Sequence, residues 1–126
     1  RQPLFTFGEG IGYAPFVYRD LAVDADSLTL SVKVRNAGDI AGEETVQVYL
    51  RDCVCEVMQP VKQLIAFRKV LLQPGEEQEV TFHLDRTAFT YINRAEERVF
   101  APGDFMLMAG HSAKDEDLLK ETVWVG

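Results

Sequence analysis

The stretch Ser27-Leu28-Thr29-Leu30-Ser31-Val32-Lys33-Val34-Arg35 decides the fold. Leu28, Leu30, Val32 and Val34 alternate with hydroxylated and basic residues, a period of two that belongs to a strand with one buried face and one wet face. The cluster Asn36-Ala37-Gly38-Asp39 then reads as a turn. Working outward, Thr45 to Leu50 repeats the alternation with Val46, Val48 and Leu50 on one side. Lys62 to Leu72 is a longer β-rich run, broken by Pro74-Gly75-Glu76. Glu79 to Leu84 alternates again through Val80, Phe82 and Leu84. Asp85 is placed to cap one helical turn over Arg86-Thr87-Ala88. Short strands are expected at Phe89 to Ile92 and Arg98 to Phe100 around the charged turn Asn93 to Glu97. After the turn Pro102-Gly103-Asp104, the final strands are Phe105 to Ala109 and Leu119 to Val125.

Roughly eight or nine strands at this spacing, with no amphipathic helix between them, predict an all-β antiparallel sandwich. Parallel strands would need long crossovers that the chain lacks. A closed barrel is the rival architecture. Phe67 and Val32 are expected in the core, where truncation to Ala costs about 2–5 kcal/mol.

Composition narrows the function classes. The chain has 126 residues, 47% of them hydrophobic and 26% charged, which fits one globular domain. Its 13 Lys and Arg against 20 Asp and Glu give a net charge of −7. Such a surface repels phosphate backbones and anionic lipid, so neither a nucleic-acid nor a membrane partner is expected. The apolar runs are too short for a spanning helix. The chain starts at Arg1 rather than Met, so a longer reading frame is expected and any leader would lie elsewhere.

Candidate chemistry is sparse. Cys53 and Cys55 are too close for an unstrained disulfide, and two free thiols favour a reducing, cytoplasmic compartment. With only His83 and His111 beside them, no metal site is expected. Gly8-Glu9-Gly10-Ile11-Gly12 is followed by Pro15 and a strand, not by the helix that a dinucleotide fingerprint requires, so no cofactor is expected. The carboxylates, Glu43 and Glu44 among them, fall in turns and on wet faces rather than converging as an acid–base pair. Ser112 sits beside His111, but adjacent residues on a strand end point to opposite sides. No catalytic residue is assigned.

Two segments look built for contact. Residues 1–15 are rich in Gly, Pro and aromatics and do not alternate, so they read as an extended arm preceding a sandwich over 16–126. Leu4, Phe5, Phe7 and Tyr13 would be its anchors, either on this domain or on a neighbour. Cys53 to Pro60 joins two strands yet is mostly apolar, unlike most surface loops. Through Val54, Val57 and Met58 it either folds back over the core or marks an interface. Tyr49, Tyr91 and Trp124 are the candidates for a carbohydrate platform and a weak sugar contact.

Several of these motifs come together in one family. Leu4-Phe5-Thr6-Phe7-Gly8-Glu9-Gly10-Ile11-Gly12-Tyr13 resembles the L-F-P-F-G-x-G-L-S-Y stretch of family-3 glycoside hydrolases, which leads into their C-terminal fibronectin type III-like domain. Asn36-Ala37-Gly38, Gly42-Glu43, Val46-Gln47-Val48-Tyr49, Pro60-Val61-Lys62-Gln63-Leu64, Phe67, Pro74-Gly75-Glu76 and Pro102-Gly103-Asp104-Phe105 match that domain in order. The departures Thr6, Glu9 and Gly12 all lie in the arm. The resemblance implies an immunoglobulin/fibronectin type III-like sandwich that packs against the preceding catalytic domains of a retaining β-glucosidase or β-xylosidase. It also implies that the catalytic carboxylates lie outside these residues. The alternative is a stand-alone carbohydrate-binding or adhesion module.

Overall fold

The computed structural model describes residues 15–52, 62–114 and 118–126. Among them the strands are β1 (Phe16–Asp24), β2 (Thr29–Asn36), β3 (Gly42–Asp52), β4 (Gln63–Leu72), β5 (Glu77–His83), β6 (Thr90–Ile92), β7 (Arg98–Phe100), β8 (Gly103–Gly110) and β9 (Leu118–Val125). A smaller sheet has the order β1-β2-β5, a larger one β4-β3-β8-β9, and β6-β7 form a separate ribbon. Every described pairing is antiparallel. The sheets pack with β1 near β9 and β4 near β5, without a ladder at either seam, so the molecule is a sandwich and not a closed barrel.

The alternation read in the sequence builds the interior. Leu30, Val32 and Val34 of β2 are fully buried, as are Val46 and Val48 of β3 and Val80 of β5. Register brings Val32 opposite Val80 and Leu30 opposite Phe82 within the smaller sheet. In the larger sheet it brings Leu50 opposite Leu107 and Val48 opposite Ala109. Each such Val, Leu or Phe side chain contributes on the order of 1.5–3 kcal/mol through removal from water. Leu28, read as the start of β2, instead has φ +54° and sits just before the strand. Asp85 caps the 3₁₀ turn Arg86–Phe89 as expected, its side chain accepting from the Thr87 amide.

Phe67 corrects the expected core: it is 63% exposed. Leu72 and Val70 point inward, and counting back by two puts Arg68 and Ala66 on that same side. Phe67 therefore shares the outer side with Lys69 and Leu71. The run is apolar in both phases, so alternation alone could not choose between them. The Arg68 guanidinium lies 5.2 Å from the centre of the Phe82 ring and covers the seam between β4 and β5. A bulge opposite Val48 and Tyr49 follows, which lets both Ile65 and Ala66 pack against the core. Thermal melts of the chain should show Val32→Ala losing about 2 kcal/mol or more, whereas Phe67→Ala stays within about 0.5 kcal/mol. Equal losses would contradict this facing.

Candidate interdomain surface

Phe5, Phe7, Tyr13, Val54, Val57 and Met58 all lie outside the described residues, as do Cys53 and Cys55. The polar and aromatic candidates can be placed. His83 ends β5 and is exposed, and His111 follows β8. Among the described residues no three His, Cys, Asp or Glu side chains gather as a metal site. The three aromatics considered for sugar binding do not form a platform. Tyr49 is buried on β3, Trp124 is exposed on β9, and Tyr91 belongs to the β6-β7 ribbon.

Glu44 corrects the reading of solvated carboxylates. It sits on the inward side of β3 with Val46 and Val48 and is only 8% exposed. The Tyr18 hydroxyl, on β1 of the opposite sheet, donates to its Oε2 at 2.5 Å. Burial raises the Glu44 carboxyl above its ordinary range, and hydrogen bonding from Tyr18 only partly offsets that. Burial and the facing carboxylate likewise hold the Tyr18 phenol strongly upward. The pair is a clasp between sheets. Glycoside hydrolysis with retention needs two carboxyls facing each other, and among the described residues Glu44 is the one buried carboxylate.

A raised carboxyl binds its proton more tightly when folded than when unfolded. Stability is therefore highest below the ordinary Glu value and falls as pH rises through the interval up to the folded value. Glu44→Gln keeps an acceptor for Tyr18 and removes the charge. It should raise the melting temperature at neutral pH, with the gain vanishing in acid. A gain that is the same at both pH values would contradict a buried, charged Glu44.

The motif residues turn out to hold the fold. Asn36, fully buried, donates from Nδ2 to the carbonyls of Ile40 and Leu72 at 2.8 and 3.0 Å. Its Oδ1 accepts from the Gly38 amide at 2.9 Å. Its backbone binds Glu76 and Gly75, and Gly75 has φ +79°, a conformation that favours glycine. Lys62 reaches across the Tyr49 ring, 5.9 Å from its centre, and donates to the Ala113 carbonyl. Gln47 donates to the His111 carbonyl and accepts from the Tyr49 hydroxyl.

Tyr49 also belongs to a second apolar cluster, with Met108, Leu118 and the flanking Met106. Phe105, Leu107 and Ala109 face the core, so Met106 and Met108 face outward by alternation. This cluster lies on the outer side of the larger sheet. Beside it on β4 are Leu64, Phe67 and Leu71, each half or more exposed. Tyr49, Met108 and Leu118 are already buried within the chain, so the apolar surface this face leaves open is the β4 row, a candidate for contact with another structure.

Known proteins supply a context for that surface. The family model described as the fibronectin type III-like domain matches residues 44–113. The chain is 43% identical to the thermostable β-glucosidase B of Acetivibrio thermocellus, over 98% of this chain and 17% of that protein. It is 36% identical to a β-xylosidase of Formosa agariphila, over 94% of this chain and 17% of that one. A crystal structure of a β-glucosidase from Listeria innocua in complex with laminaribiose superposes with a TM-score of 0.80 at 40% identity. That match covers 99% of this chain and 18% of the Listeria chain. The chain thus spans about a sixth of the length of these relatives.

Proposed function

The chain belongs to the fibronectin type III-like domain family, and from that premise we propose that it is the non-catalytic accessory domain of a larger family-3 glycoside hydrolase. The parent would release terminal β-linked sugars from non-reducing ends. The observation that carries this reading is the coverage: relatives named β-glucosidase and β-xylosidase align with nearly all of this chain but devote only about a sixth of their own length to it. The domain's task is to pack against the catalytic domains, exclude water from that contact and hold the loops around the active site. Residues 1–15 form the arm that joins it to them, with Phe5, Phe7 and Tyr13 as anchors and Val54, Val57 and Met58 as contacts from the apolar loop. The catalytic carboxylates belong to the rest of the parent.

The test assays the parent reading frame and the 126-residue chain side by side on an aryl β-glucoside and an aryl β-xyloside. Turnover by the parent and none by the chain is expected. Turnover by the chain alone would contradict a non-catalytic role, and an inert parent would contradict the glycosidase reading.

A further inference from the structure

We infer that the outer face of the larger sheet is the surface by which this domain docks onto the catalytic part of its own parent chain. The inference rests on the accessory-domain reading and adds which face makes the contact.

The two outer faces differ in chemistry. On the smaller sheet four of the outward charges pair with one another. Arg19 of β1 reaches over β2 to Glu77 of β5 through Nε and Nη2, at 2.6 and 2.8 Å. Asp20 takes Arg19 at 3.0 Å and Lys33 at 3.5 Å. Such pairs are at ease in water. On the larger sheet, alternation turns Arg51 of β3, Lys69 of β4 and Lys120 of β9 outward against Glu43 and Asp104. Among the described residues none of these three cations has an ion pair, and the Nε of Arg51 is buried without a hydrogen-bond partner. A net positive face thus stands on a chain of charge −7.

Phe67 and Leu71 flank Lys69 on β4, while Trp124 stands on the opposite edge strand, β9, toward the other end of the sheet. Phe67 is 63%, Leu71 64% and Trp124 62% exposed. Exposed aromatic and aliphatic side chains beside cations are the kind of surface that an interface covers. The occupant must offer apolar surface and carboxylates. A second copy presenting the same face would set cation against cation. The remainder of the parent is the better candidate, because more than four-fifths of each relative's length lies outside the matched segment. Covalent linkage also keeps such a surface at a local concentration on the order of millimolar.

Hydroxyl-radical footprinting of the intact, monomeric parent tests this. After correction for intrinsic reactivity, Phe67, Leu71 and Trp124 should label at least about fivefold more slowly than Val17 and Ile92, which are about half exposed elsewhere on the domain. In the double variant Phe67→Glu with Leu71→Glu, protection of Trp124 should fall while Phe105 and Leu107 stay protected, showing that the sandwich persists. Rapid labelling of Phe67, Leu71 and Trp124 in the monomer would overturn the inference, as would protection found only in a dimer. Glycoside hydrolysis is read on the same samples. An inert parent with a protected face would contradict the glycosidase reading alone, and an active parent with a freely labelled face would contradict the docking face alone.

Discussion

Phe105→Ala should cost the chain about 4 kcal/mol, lowering its melting temperature by on the order of 15 °C. Phe105 is fully buried in β8. Its ring meets Phe89 edge-to-face at 5.1 Å and stacks against Phe100 at 6.4 Å. Phe89 comes from the 3₁₀ turn and Phe100 from β7, so this one ring holds the turn and the β6-β7 ribbon on the end of the sandwich. The Arg86 guanidinium lies 4.6 Å from the centre of the Phe100 ring and covers the far side of the group. Truncation removes the transfer energy of the ring, leaves a cavity and ends two aromatic contacts worth about 0.5–1.5 kcal/mol each. Phe105→Leu refills most of that volume and should recover half or more of the loss. A Phe105→Ala melt indistinguishable from that of the original chain would contradict this packing.

Asn36→Ala should cost about 3 kcal/mol although it deletes only one small polar group. Asn36 serves Ile40, Leu72 and Gly38 at once, and it joins the β2-β3 turn to the ends of β4 and the Gly75 turn. Leaving a buried carbonyl or amide unpaired costs about 1–3 kcal/mol each. Asn36→Asp separates hydrogen bonding from shape. It keeps the acceptor for Gly38 but loses both donations and buries a charge, so at neutral pH it should be at least as damaging. Lowering the pH protonates the aspartate, restores one donor and should recover part of the loss. If both variants melted within about 1 kcal/mol of the original chain, Asn36 would be an ordinary turn residue.

These two residues also show what could be read without the structure. Phe105 was legible as the start of a strand after a clear turn, but not as the ring on which the end of the sandwich packs. Asn36 was legible only as a turn former, since its decisive partner, the Leu72 carbonyl, lies 36 positions away. Glu44 was misread for the same reason: a carboxylate is buried when a donor meets it, and Tyr18 lies 26 positions earlier on the other sheet. Phe67 was misplaced because β4 is apolar on both faces, a pattern that itself marks a strand with a second surface to cover. The motifs shared with family-3 glycoside hydrolases were visible in the sequence. Their residues at Asn36, Lys62 and Gly75 prove to secure turns and strand ends rather than to form a reactive centre.

The central claim is that this domain supports catalysis it does not perform. The most direct measurement is the rate of thermal inactivation of the parent enzyme on an aryl β-glucoside, with residues 1–126 present and deleted. The account predicts that deletion abolishes activity or shortens its half-life by about tenfold or more, equivalent to about 1.4 kcal/mol in the barrier. A deleted parent that turns over substrate and survives heating as well as the intact enzyme would contradict it.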